Sequence, residues 1–381
     1  MGFSNKSKVA MGVLCALVLA GVGTWVYQLV NGLGVTGMSN ANSWGLYICM
    51  FMLFVGLSAG GLIVASSAHV FGIEKFKAVA KPAVICSTVC ICIAGMFILI
   101  DLGGIQRVWM LLASPNLTSP LLWDLCVITC YLVINILDLV WMSKGAEHKV
   151  KVLSYVALPV AILVHSVTAW IFGLQIARAW YSAIMAPIFV ASALDSGLAL
   201  LIVALIALNK AGIVSFSRDL MQSLSRLLVV FICVDAYFIG CEVLTMAYPG
   251  GSECVALGEM LSGATAPFFW FEMVCGLLIP GVVLAIPANR ARTGVVTAAS
   301  LLVVLGVACK RIWLLFTSFV NPNIYGATGI TSGTAAAQTD ASSMWMLLGS
   351  YAPTWAEVVI AIGVLSLGIL AFMILSKKTI R

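Results

Sequence analysis

Long apolar stretches alternate along this chain with short polar punctuation. A window of about twenty residues, the length a helix needs to cross hydrocarbon, picks out ten apolar segments. They lie near 9–30, 44–72, 82–101, 121–143, 152–173, 181–208, 226–247, 267–287, 294–317 and 351–376. No sustained series of alternating ten-residue segments appears, which argues against a membrane β-barrel. The pattern predicts an all-α polytopic membrane protein, a single integral domain over 1–381 with about ten transmembrane helices.

The punctuation is one-sided. Lys6 and Lys8; Lys75, Lys77 and Lys81; Lys144, Lys149 and Lys151; Lys210, Arg218 and Arg226; Arg290 and Arg292; and Lys377, Lys378 and Arg381 fall in alternate loops and at both ends. These are 16 of the 20 Lys and Arg, so the positive-inside rule predicts both termini in the cytoplasm of a cell inner membrane. The opposite loops carry only Arg107, Arg178, Lys310 and Arg311. Two of those outer loops are long, roughly 248–266 and 318–350, and rich in small polar residues. Neither has the size of a soluble domain, so chemistry outside the membrane belongs to a partner.

Composition agrees: 62% of residues are hydrophobic and 9% charged, more apolar than a soluble core requires. The net charge of +6 sits in inter-span clusters that set topology, which leaves no nucleic-acid surface. The N-terminal apolar run, Val9 to Val30, is too long for a signal peptide and lacks a cleavage pattern, so it is read as a retained helix. All twelve cysteines except Cys254 fall in apolar runs and are read as small hydrophobes. A thiolate-bound metal at Cys86, Cys90, Cys92, Cys126 and Cys130 is the weaker alternative.

Ionisable groups in hydrocarbon cost about 2.5–3.5 kcal/mol or more each, so each needs a reason. Asp101, Asp124, Glu242, Glu272, Lys310, Arg311 and Glu357 map to outer span ends, and His165 about two-thirds of the way out along the fifth span. Asp195 and Asp235 map near the midplane, and Asp138 nearer the cytoplasm. The bland reading makes ion pairs of Asp101 with Arg107 and of Glu272 with Arg311. The functional one makes a proton pathway of Asp138, Asp195, Asp235, Glu242, Glu272 and Arg311. Only His69, His148 and His165 are available, and no two are placed to ligate one haem iron. No metal, haem or iron–sulfur site is expected in the chain. The stretch WGLYICMFMLFVGLSAGG (44–61) ends in Gly56, Ser58, Ala59, Gly60 and Gly61, bare enough for either a neighbouring helix or a flat ligand.

That stretch, together with DLGGIQRVWMLLASPNLTSPLLWD (101–124) and HSVTAWIFGLQIARAWYSAIMAPIFVASALDSG (165–197), resembles the NrfD/PsrC family of quinone-reactive membrane subunits. FWFEM (269–273), the Arg311 region and YAPTWAEVVIAIG (351–363) are similar to its longer, ten-helix branch. That branch includes the membrane subunits of a periplasmic hydrogenase and of the sulfite-reduction-associated complex. The chain departs from the polysulfide reductase pattern at Ile48 and Phe51, and Gly104 replaces the Arg of the usual Asp-Leu-Gly-Arg run.

The resemblance implies two four-helix bundles, 44–173 and 181–317, flanked by 9–30 and 351–376. It implies a quinone, with menaquinone favoured, bound near the outer face, and a ferredoxin-like iron–sulfur subunit docked there. A molybdopterin or other catalytic subunit would lie beyond it, and membrane lipid is the remaining partner. By position His165 falls beside the quinone, with Asp101 and Arg107 as helpers. Tyr47, Gly56, Ser58, Gly60 and Trp170 would line the ring site. Two further function classes stay open, a proton-translocating module or stand-alone secondary transporter, and a passive anchor.

Overall fold

The computed structural model describes residues 5–39, 42–175, 178–250, 252–320 and 351–380. Ten helices in it are long and apolar enough to cross a membrane. They are α1 (Asn5–Asn31), α2 (Leu46–Val70), α3 (Glu74–Asp101), α4 (Pro120–Ser143) and α5 (Glu147–Gly173). After these come α6 (Met185–Lys210), α7 (Arg218–Ala247), α8 (Ala266–Ala285), α9 (Thr293–Val320) and α10 (Trp355–Ile380). A spanning segment must satisfy its own backbone, which is why apolar stretches of this length become helices. The expected outer loop 248–266 contains a helix of its own, Ser252–Ser262. The other, 318–350, lies from 321 onward outside the described residues.

Charged residues extend the helices beyond their apolar cores. α3 and α5 begin with Glu74 and Glu147, which complement the positive end of the helix dipole, and α10 closes with Lys377 and Lys378. Ser217 caps α7 by accepting from Leu220 N at 3.1 Å.

α2 is the most enclosed helix: 89% of its central window is buried, against 6% for α1. It packs on α3, α5, α6 and α9, while α1 packs along α10. Three glycine pairs set the closest seams. An added Cβ on Gly60 would stand 2.7 Å from Gly197 Cα, joining α2 to α6. The equivalent distances are 2.7 Å from Gly21 to Gly363 Cα, between α1 and α10, and 2.8 Å from Gly276 to Gly306 Cα, between α8 and α9. Lipid tails are as apolar as leucine, so close van der Waals contact of this kind is what holds membrane helices together. The bare end of α2 is thus filled by protein: Gly60 by α6, and Gly61 by α3, where Ala83 O would lie 3.2 Å from its Cβ.

Candidate functional site

The centre of the molecule holds two adjacent cations on α9. The sequence pattern counts them with the outer side and maps them to the outer end of the 294–317 span; in the structure both are fully buried, about 10 residues short of the outer end of the helix. The helix continues to Val320, three residues past the apolar window, which sets the pair deeper than the window's own edge suggests. Successive helix positions differ by about 100°, so the two side chains diverge.

Lys310 faces α7 and α8. Its Nζ donates to both oxygens of Asp235 at 2.8 Å and lies 3.1 Å from Glu272 Oε1. Trp313 Nε1 donates to the other Glu272 oxygen at 2.6 Å. All three charged groups are fully buried. Glu272 sits in a π-helical segment, Phe271–Leu278, inside α8. Such segments are uncommon and concentrate at functional sites. Nearby Asp195 on α6 is buried with neither carboxylate oxygen hydrogen-bonded by another side chain or backbone group.

Arg311 faces α2, α5 and α6. Its Nη2 donates to Ser192 Oγ at 2.7 Å and lies 3.4 Å from His165 Nε2, and its guanidinium lies 4.2 Å from the centre of the Phe189 ring. An arginine nitrogen can only donate, so this geometry makes Nε2 the acceptor and leaves the ring proton on Nδ1. His165 also packs on Phe189, 5.3 Å between centroids. Gly56 makes the room: a Cβ there would stand 3.2 Å from His165 Cε1 and 3.6 Å from Arg311 Nη2. Three nitrogens of this pair, Arg311 Nε and Nη1 and His165 Nδ1, are buried without a hydrogen-bond partner.

One turn outward lies a narrow cleft of about 500 Å³, its open mouth included. Ile188 and Leu314 line it, one turn before Ser192 and one turn after Arg311 on their helices. The walls are apolar and aromatic, including Trp180 and Trp313, with Glu242, Thr317 and Ser318 as polar points. Ser182 Oγ donates to Glu242 at 2.8 Å. Trp180 anchors the rim through edge contacts with Phe172 and Phe319 and a stacked contact with Trp44, while the Arg178 guanidinium lies 4.7 Å from the Phe319 ring.

The structure brings His165, Gly56 and Arg311 together, and separately Asp195, Asp235 and Glu272. The other sequence candidates lie elsewhere. Tyr47 is stacked on Phe97 and donates to Gln28 at 2.7 Å, and Gln28 in turn donates to Ile100 O. Ser58 belongs to a buried network with Ser87, Tyr131 and, through Ser87, Asn135. Trp170 is 37% exposed on the outside of α5. Asp101 ends α3 with Oδ1 buried and unpartnered, and Arg107 is exposed on a short 3₁₀ turn. No ion pair joins those two among the described residues, and Glu272 pairs with Lys310 rather than Arg311. Asp138 is buried in α4 with both oxygens unpartnered, and Asp124 accepts from Thr168 at 2.6 Å. Glu357 binds Gly37 N and the Tyr351 hydroxyl, tying the start of α10 to the loop after α1. Sequence reading missed Ser192, Phe189 and Trp180. Polar Ser192 within the small-residue run of α6 was the available signal for the first.

Residues 34–323 match the family model described as polysulphide reductase, NrfD. A putative membrane subunit of dimethyl sulfoxide reductase from Halobacterium salinarum is 37% identical over 97% of this chain and 91% of its own. A selenate reductase subunit from Mesobacillus selenatarsenatis is 26% identical over 96% of this chain and 92% of its own. The Hdr-like menaquinol oxidoreductase integral membrane subunit of Archaeoglobus fulgidus is 28% identical over 83% and 80%.

Proposed function

The chain belongs to the polysulphide reductase NrfD family, and we propose that it exchanges electrons and protons between membrane quinone and a respiratory reductase complex, with the quinone head group at Arg311 and His165. One observation carries the reading: the three buried nitrogens of this pair that lack partners. A buried polar group left unpaired costs about 1–3 kcal/mol, and more when charged. Oxygens of a head group lodged inward of the cleft, past Ile188 and Leu314, would offer them acceptors.

The chemistry follows from the donors. The guanidinium stabilises negative charge building on the head-group oxygen as its proton moves. The imidazole, whose ordinary pKa lies near 6.5, is the group suited to carrying that proton once the head group takes over the Arg311 donor and frees the Nε2 lone pair to accept it. The aromatic rim around Trp180 and the apolar cleft suit a flat ring and its tail. Electrons then pass to an iron–sulfur subunit docked on the outer face, and from it to a catalytic subunit. The relatives named for dimethyl sulfoxide and selenate reductases support that arrangement, and the menaquinol oxidoreductase relative supports menaquinone as the carrier. In the test, His165→Phe is purified with its complex and assayed for quinol-dependent electron transfer. Turnover is expected to vanish with assembly intact; unchanged turnover removes the imidazole from the reaction.

A second reading rests on Asp195, buried and unpartnered beside the Asp235–Lys310–Glu272 cluster: the protein also moves protons. In proteoliposomes, quinol oxidation alone fixes the proton yield per electron pair. A higher yield that Asp195→Asn returns to the scalar value would establish the second role.

A further inference from the structure

A second cavity, this one polar, lies at the lysine-rich end of the molecule, about 1190 Å³ with its open mouth included. It is remote from the site above: α5 starts there at Glu147, and His165 follows 18 residues later, about 27 Å along the helix. Two hairpins meet at it. α2 turns into α3 through Gly72 (φ 64°), and α4 into α5 through Gly145 (φ 67°), left-handed conformations that glycine supplies without penalty.

Its lining is cationic. Lys77, Lys81 and Lys151 contribute, with His69 and His148. Glu74 and Glu147 oppose them, but Glu74 is already taken by Lys77 at 2.7 Å. Lys81 and Lys151 have no ion-pair partner among the described residues. His69 Nε2 is buried without a hydrogen-bond partner. The first residues of α3 and α5 line the cavity, and the residues before them, Ile73 and Ala146, supply no side-chain cap, so two helix N-termini add partial positive charge. Lys81 is the telling group: half-buried, about 10 Å along α3 from Glu74, an ammonium with no carboxylate within ion-pair distance among the described residues.

We propose that this cavity binds a phosphoryl group, held by Lys81 and Lys151, with the head group of an anionic phospholipid in the adjoining leaflet as its source. The lysines lie within about the first two turns of α3 and α5, next to the inter-helix loops, where a spanning helix passes from hydrocarbon to the head-group zone. A lysine near a charged membrane surface contributes about 1 kcal/mol, so removing two predicts a loss of about thirty-fold in affinity.

The test uses the full chain in the complex with which it purifies, in phosphatidylcholine nanodiscs with graded phosphatidylglycerol, read by native mass spectrometry. Wild type is expected to retain phosphatidylglycerol over phosphatidylcholine, Lys81→Gln/Lys151→Gln to lose about thirty-fold, and Lys81→Arg/Lys151→Arg to keep binding. A parallel arm adds millimolar inorganic phosphate: displacement of the lipid that depends on the two lysines keeps the phosphoryl site and assigns it a soluble ligand. Equal retention of the two lipids by wild type with no effect of phosphate overturns the proposal, as does a glutamine variant that binds like wild type. If the glutamine variant does not assemble, the wild-type comparison of lipids and phosphate still decides.

Discussion

Adjacent residues of one helix divide the labour at the centre of this protein. Lys310 neutralises two carboxylates contributed by α7 and α8, while Arg311 turns the other way to Ser192 and His165. Removing one member of a buried ionic group strands the charges that remain, at a cost of about 3–5 kcal/mol. Lys310→Met is therefore expected to lower the thermal transition of the purified protein sharply, and adding Asp235→Asn to the same chain to restore part of the loss. A single and a double variant melting at the same temperature would show that Asp235 carries no charge worth compensating. Arg311→Lys tests the neighbouring side chain. Lysine keeps the charge but loses the planar fork that reaches Ser192 and the imidazole together. Quinol-dependent turnover should fall about 10²–10³-fold, the range for losing one aimed donor, while the fold survives. A variant as active as wild type would leave only bulk charge as the role of this residue.

At the scale of elements, the glycine seams decide how closely helices approach. Gly60→Val drives a branched side chain into Gly197 on α6, and overpacking of that kind costs about 1–3 kcal/mol or more. Gly95 is the control, since a Cβ there meets nothing within 4 Å. The expected result is a large drop in folded yield and melting temperature for Gly60→Val and little change for Gly95→Val; equal behaviour would mean that the α2–α6 seam adjusts freely. The same elements show what could be read beforehand. All ten spans were legible because the need to bury backbone in hydrocarbon leaves a continuous apolar window. The ends of α3, α5 and α7 were not, because charged first turns continue the helix into the head-group zone, where hydropathy stops reporting. Azimuth was the larger gap. Hydropathy places Tyr47, Ser58 and Trp170 in depth but not around the helix. Tyr47 and Ser58 proved to be engaged with Gln28 and with Ser87, and Trp170 faces outward. The convergence of α7, α8 and α9 on Lys310 needed tertiary packing, and the π-helical turn at Glu272 left no mark in the pattern of apolar positions.

For the whole molecule the decisive property is sidedness, because the apolar cleft and the lysine-lined cavity lie at opposite ends of the helices and must meet different compartments. Charge predicts which is which: the end with Lys77, Lys81 and Lys151 also collects the other inter-span basic clusters, the start of α1 and the end of α10, and basic loops stay in the cytoplasm. The cysteines offer a direct check. Eleven of the twelve lie within the ten helices, whereas Cys254 is exposed on the short helix Ser252–Ser262, at the cleft end. A membrane-impermeant maleimide should label Cys254 from the extracytoplasmic side of intact cells or spheroplasts, and Cys254→Ser should abolish the signal. Placing a single exposed thiol at the other end, by Lys144→Cys in that background, should give labelling only in inverted vesicles. The reverse pattern would turn the molecule over in the membrane, carrying the Arg311 site to the cytoplasmic side and any electron-accepting partner with it.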